Sequence, residues 1–183
     1  MTVKKTELKK LLKKTYGGKK LSSNYVTDKQ LSGKRVKVIR DTNTNKTYVA
    51  HRGTASLKDW ATDFAMALGY EGGKRFKHAE SIQHKAEKKY GRKNIVTIGH
   101  SLGGRIAEKV GKKSSEIVTY NKAVTPRSIV ESYIKPYSKK QTDIRTKTDP
   151  VSAGALLQDR NKKLVTVGKA TPNLLKAHNL NQI

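Results

Sequence analysis

The chain has 183 residues, of which 34% are hydrophobic and 6% aromatic, and its 40 Lys and Arg against 14 Asp and Glu give a net charge of +26. That length and apolar content suit one compact domain, and with no Cys the chain has no disulfide framework, no thiolate nucleophile and no cysteine metal site. No apolar run approaches the roughly 20 residues that a membrane-spanning helix needs, and the first residues, MTVKKTELKKLLKK, lack the apolar block and cleavage site of a secretory signal. The expected location is therefore intracellular, or inside a particle such as a virion, rather than classically secreted. A charge this large predicts polyanionic neighbours, whether nucleic acid, anionic lipid or an acidic protein surface.

Residues 1–22 hold eight Lys and one Glu. On a helical wheel Leu8, Leu11, Leu12 and Tyr16 share one side, with Lys5, Lys9, Lys10, Lys13 and Lys14 opposite. The segment reads as a basic amphipathic helix ending at Gly17-Gly18, preceding a domain over 23–183. Such a helix either packs on the domain with its Lys face in water or serves as an arm for a membrane surface or nucleic acid.

Beyond Ser22 the pattern is mixed. Residues 35–40 and 46–51 alternate apolar and polar around a 41–45 tip rich in Asn and Asp, which predicts a β-hairpin. Helices are expected over 57–67 and 74–90, the second because Phe76, Ala79, Ile82, Ala86 and Tyr90 recur at helical spacing before Gly91. Then follow a strand at 94–99, a helix at 102–112, a strand at 116–120, a helix near 127–135 and strands at 143–148 and 163–167. Short apolar strands alternating with helices predict an α/β fold with a central, mostly parallel sheet and the antiparallel hairpin at one edge.

One motif carries chemistry. The strand ending at Ile98 runs into Gly99-His100-Ser101-Leu102-Gly103 and then into a helical run, so a G-x-S-x-G lies between strand and helix. A serine held in that tight turn is strained, and Gly99 and Gly103 are needed on either side because a Cβ there would meet the crossing backbone. A serine hydroxyl is a poor nucleophile without a base, and the base needs an orienting carboxylate. In this fold the chain order is Ser, acid, His. His51, His78, His84 and His100 precede Ser101, which leaves His178. The acid candidates between them are Glu108, Glu116, Glu131, Asp143, Asp149 and Asp159. Asp149 is favoured because it follows a strand at the carboxyl edge, where parallel sheets place their sites; Asp143 would begin that strand and Asp159 sits in a turn.

These residues resemble the class 3 (fungal-type) lipases of the α/β-hydrolase fold. Gly99 to Gly104 is similar to that family's nucleophile elbow, and Tyr48 to Asp63, with Arg52-Gly53-Thr54 and Asp59-Trp60, is similar to its oxyanion segment. The strand leading to Asp149-Pro150-Val151 resembles the acid segment, and His178 falls where the family's terminal base does. The resemblance implies Ser101 as nucleophile, Asp149 as acid, His178 as base, and the backbone N–H groups of Thr54 and Leu102 as oxyanion donors. It also suggests a buried Arg52–Asp63 pair, and at most a small lid at 64–70 with no cap domain. Two positions depart from the family: His51 stands where a large apolar residue is usual, and Arg105 where a small one is. Arg105 could crowd the site, favour an anionic head group or point to solvent.

The expected function is a serine carboxylic-ester hydrolase of lipase or phospholipase type acting on acyl lipids. It requires no cofactor and no metal. The implied partners are an acyl lipid or ester substrate and an anionic membrane surface, with non-specific nucleic acid or an acidic protein as further polyanions. The alternative is a polyanion-binding or structural protein on a lipase scaffold; no RNP-type aromatic motif, zinc finger or basic zipper supports specific nucleic-acid recognition.

Overall fold

Short, near-continuously apolar strands alternating with helices require a sheet covered on both faces. The computed structural model describes residues 3–18, 20–54, 73–134, 140–158 and 163–183. Its strands are β1 (Tyr25–Thr27), β2 (Val36–Asp41), β3 (Thr47–His51), β4 (Ile95–His100), β5 (Glu116–Tyr120), β6 (Gln141–Thr146) and β7 (Lys163–Val167), and they lie in one sheet in chain order. β1, β2 and β3 are antiparallel, whereas β3 to β7 are parallel. The helices are α1 (Lys5–Thr15), α2 (Lys74–Tyr90), α3 (Leu102–Val110), α4 (Pro126–Ile134) and the short α5 (Leu174–His178).

The period of two sorts the strand residues between the faces. Ile39, Tyr48, Ala50, Val96, Ile98, Val118, Tyr120 and Ile144 share a core with Leu8, Leu11 and Leu12 of α1 and with Leu180. On the other face Val36, Val38, Val49 and Ile95 meet Ile82 and Ala86 of α2, while Leu102 and Ile106 of α3 meet Phe76, Ala79 and Val151. The amphipathic reading of the N-terminus accounts for α1: its three leucines are fully buried. On its outer side the Lys9 ammonium donates to the Ile183 carbonyl at 2.8 Å and Lys13 donates to Asn181 Oδ1 at 2.6 Å. The helix is thus packed on the sheet and tied to the other end of the chain.

The hairpin forms where expected. At its tip the Asp41 carboxylate accepts from the Asn43 N–H, the Thr44 hydroxyl and the Asn24 amide, and Asn45 takes φ 55. Some boundaries differ from the sequence expectation. β1 was not expected, since three half-exposed residues carry too little alternation to register. Asn94 closes a 3₁₀ turn and β4 starts at Ile95. β6 begins two residues earlier than expected, because Gln141 and Thr142, polar enough to read as loop, are buried in it. Asp143 is therefore mid-strand, with Lys147 and Thr148 in a turn. The expected 57–67 helix, Trp60, Asp63, the 64–70 lid and Asp159 lie outside the described residues.

Candidate active site

The site lies at the carboxyl ends of the parallel strands, where loops leave a rigid sheet. After β4 the chain turns through Ser101, whose φ of 58 and ψ of −129 are strained for a residue with a Cβ. Four backbone hydrogen bonds hold it there: Ser101 N–H donates to Tyr120, and its carbonyl accepts from Gly104, Arg105 and Ala123. The two glycines of the motif do what the sequence required. A Cβ on Gly99 would overlap the Gly103 carbonyl, and one on Gly103 would overlap that of His51, so β4, α3 and the end of β3 meet without side chains between them. Leu102 opens α3, where backbone N–H groups have no partner within the helix.

β3 and β4 run parallel with His51 opposite Gly99, which carries Arg52, Gly53 and Thr54 alongside the elbow. Gly53 is in close contact: a Cβ there would lie 2.7 Å from the His100 carbonyl oxygen and 2.9 Å from Ser101 Cβ. Half-buried Thr54 follows directly. From α2, Arg75 donates through Nη2 to the Arg52 carbonyl and, at 3.1 Å, to that of Gly53, so the loop is pinned from behind. Arg52 itself lies over the Tyr16 ring, 4.9 Å from its centroid.

The Asp149 and His178 side chains are both buried, and Asp149 Oδ1 lies 2.8 Å from His178 Nδ1. The other carboxylate oxygen accepts from the Ser152 N–H at 3.0 Å and the Ser152 hydroxyl at 2.5 Å. With a carboxylate on one ring nitrogen, Nδ1 is a donor and Nε2 is left as the basic atom. That Nε2 is buried and, among the described residues, has no hydrogen-bond partner, so it is not joined to the Ser101 hydroxyl. His178 is placed by the backbone around it. Asn121, in a left-handed conformation with φ 43, donates to the Ala177 carbonyl at 3.1 Å; the His178 carbonyl lies 3.0 Å from His100 Nε2; and Tyr120 donates to the Asn179 carbonyl at 3.3 Å. Asn121 and Ser152 were not singled out from the sequence, and Gly53 and His100 entered only as members of motifs, because each works through a contact that no local pattern announces.

The other acid candidates have different partners. Asp143 Oδ1 accepts from Thr119 at 2.7 Å and Oδ2 pairs with Lys122 at 2.7 Å, facing away from His178. Glu108 is buried between Arg105 and Lys122. Burial pushes its carboxyl upward, but Lys122 and Arg105 outweigh that and hold it below the usual range. Arg105 is 2% exposed and also pairs with Glu131 at 2.7 Å. It therefore does none of the three things considered for it, and instead belongs to an ion network beneath the elbow. Among the described residues no group of three or more His, Asp or Glu could hold a metal ion, and no helix is long and apolar enough to cross a membrane.

Comparison with known proteins bears on the family and the fold. A family model described as phospholipase-like, Tle-like phospholipase domain, matches residues 2–168. The fold is similar to that of the Rhizomucor miehei lipase in its propeptide complex, with a TM-score of 0.54 at 15% identity, covering 83% of this chain and 63% of that one. The chain thus spans under two thirds of that lipase. It is also similar to Lip2 lipase from Yarrowia lipolytica, with a TM-score of 0.55 at 16% identity over 91% of this chain and 79% of that one. A mutant of MDLA from Penicillium cyclopium gives 0.56 at 12% identity over 92% and 78%. None of the curated proteins searched matches the sequence. At these identities the structural likenesses speak for the fold, and the family match speaks for descent: the chain belongs to the phospholipase-like family, as a Tle-like phospholipase domain with an α/β-hydrolase fold.

Proposed function

We propose that the protein hydrolyses carboxylic esters of phospholipids at anionic bilayers, with Ser101 as nucleophile, His178 as base and Asp149 as the acid that orients it. The observation that carries this reading is the pairing of a strained serine on a strand-to-helix elbow with a buried His178 whose Nδ1 is committed to Asp149 and whose Nε2 has no partner among the described residues. Such hydrogen bonds often close only when substrate binds.

In the first half-reaction Ser101 Oγ attacks the ester carbonyl carbon while its proton passes to His178 Nε2. The carbonyl oxygen becomes an oxyanion held by the N–H groups of Thr54 and Leu102; a single such donor is worth about 2.7–4 kcal/mol. Collapse breaks the ester C–O bond, and the imidazolium returns its proton to the departing alcohol. Water, deprotonated by His178, then attacks the acyl-enzyme and releases the fatty acid and Ser101. Asp149 stays ionised throughout and stabilises the imidazolium.

The phospholipid assignment is supported by the family match and by the charge. Each Lys or Arg near an anionic bilayer contributes about 1 kcal/mol, so a net +26 concentrates the protein at such surfaces. Fatty-acid release from vesicles tests it. Turnover should be higher on anionic than on zwitterionic phosphatidylcholine vesicles, should fall as salt rises from about 50 to 500 mM, and should vanish in Ser101→Ala. Equal, salt-insensitive rates would contradict the surface assignment, and an active Ser101→Ala would contradict the mechanism.

A further inference from the structure

Tyr16, the residue that follows α1, reaches the site from the far end of the sequence. Its hydroxyl oxygen lies 2.9 Å from the Gly53 N–H, which donates to it, and 2.9 Å from His100 Nδ1. On the other side of the same ring, His100 Nε2 lies 3.0 Å from the carbonyl oxygen of His178. The proton positions follow from what each atom can do. A carbonyl oxygen only accepts, so His100 Nε2 must carry the hydrogen. A neutral imidazole has one N–H, so Nδ1 must accept, and the Tyr16 hydroxyl must donate to it while accepting from Gly53. The polarity of the whole chain is thereby fixed: Gly53 N–H to Tyr16 O–H to His100, and His100 N–H to the backbone of His178.

We propose that Tyr16 is a positioning residue of the hydrolytic site: its hydroxyl sets the tautomer of His100 and so holds the His178 backbone and the oxyanion segment in register with the nucleophile. The inference rests on the assignment of Ser101, Asp149 and His178 given above. The arrangement stays in one state over the working range, since burial, with the neighbouring His178, holds His100 down at about 3 and burial pushes Tyr16 up to about 12. The ring contacts agree with a fixed assembly. Tyr16 meets His100 edge-on at 5.8 Å between centroids, and His100 lies against the His178 ring at 4.8 Å. A cationic His100 at that distance would oppose the imidazolium that His178 forms in the reaction, and the hydroxyl on Nδ1 favours the neutral ring. Gly53 is adjacent to the oxyanion donor Thr54, His100 is adjacent to the nucleophile, and the relay ends on the base itself. Through Gly53 and His100, one phenol is therefore linked to the oxyanion segment, to the residue before the nucleophile and to the backbone of the base.

Tyr16→Phe removes the hydroxyl and keeps the ring, its packing and the face under Arg52. On a soluble short-chain p-nitrophenyl ester the variant should lose about 10- to 100-fold in kcat, the scale expected from small misplacement of reacting groups, with KM within about twofold and the rate of fluorophosphonate attachment to Ser101 reduced in parallel. His100→Gln, which keeps a donor for the His178 carbonyl without needing Tyr16, should make the loss from Tyr16→Phe much smaller in the double variant. Independently of any variant, ¹⁵N spectra of the histidine rings in the wild-type chain should show His100 with a bare Nδ1 and a protonated Nε2. The proposal is overturned by an Nδ1-protonated His100, by Tyr16→Phe turnover within twofold of wild type, or by equal losses in the two backgrounds. A wild-type chain inert to fluorophosphonate sinks the hydrolase reading instead; a reactive wild type with an equally reactive Tyr16→Phe sinks only the role of Tyr16.

Discussion

Asp149 Oδ1 and His178 Nδ1 are 2.8 Å apart in a region sealed from solvent, and the remaining carboxylate oxygen is occupied by Ser152. The Asp149 carboxylate has no freedom to turn, so it is aimed at one ring nitrogen. Asp149→Asn keeps the shape but offers an amide in place of the charge, which allows the wrong His178 tautomer and removes stabilisation of the imidazolium. The expected loss in kcat is about 10³–10⁴-fold, with an unchanged thermal midpoint. Ester hydrolysis alongside a melting curve measures both, and a loss under tenfold would contradict the role given to Asp149.

Gly53 tests how closely the oxyanion segment must approach the nucleophile, since a Cβ here would lie 2.9 Å from Ser101 Cβ. A Cβ at this position would sit 2.7 Å from the His100 carbonyl oxygen and 2.7 Å from the Tyr16 hydroxyl, neither of which is a loose side-chain end. Gly53→Ala should therefore push Thr54 away from Ser101 and lower kcat by about 100-fold, in keeping with a displacement near 1 Å. Binding of substrate should change much less. An alanine variant with full activity would show that the loop yields freely and that Thr54 is no fixed donor.

Two buried histidines should make the fold acid-sensitive above the carboxylate range. Burial holds His51 and His100 at about 3 in the folded chain, against an ordinary value near 6.5. Their folded values are depressed, so as pH falls below about 6.5 the unfolded chain takes up protons that the folded one refuses. The stability they contribute is complete above about 6.5 and is lost progressively toward 3, at up to about 1.4 kcal/mol per pH unit for each group. Among the described residues neither ring nitrogen of His51 has a partner within strict hydrogen-bond geometry, with the Gln83 side chain beside the ring. His51→Leu should therefore be neutral or stabilising at pH 7 and should flatten the fall of the urea midpoint between about pH 6.5 and 5. Parallel pH slopes for the variant and the parent would contradict this.

The parts of the site that rest on local pattern were legible in the sequence, and those that rest on distant contacts were not. Gly99, Ser101 and Gly103 stand out because strand, turn and helix are written within a dozen consecutive residues. Asp149 was reached by topology, although β6 lies two residues earlier than its apolar pattern implied; the strand still delivers the chain to the same edge of the sheet. His178 followed from chain order, while α5, which carries it, was too short to show a helical period. Tyr16 meets His100 across 84 residues, His100 meets the His178 backbone across 78, and Asn121 holds Ala177 across 56. Each of these residues has an ordinary local reading, as an apolar helix position, a motif filler or a loop amide. Arg105 misled for a related reason: its placement one turn from Ser101 was visible, as was Glu108 one turn further along α3, but its pairing with Glu131 depends on α4 packing beside α3.

The central claim is that Ser101 is an activated nucleophile. Incubating the folded protein with a fluorophosphonate and mapping the adduct by peptide mass spectrometry addresses it directly, since only a serine whose proton is taken by a neighbouring base reacts at a useful rate. The account predicts one stoichiometric adduct on Ser101, slowed at least about 100-fold in His178→Ala and absent from the urea-unfolded chain. A folded protein that stays unmodified at Ser101, or that labels as fast without His178, would contradict it.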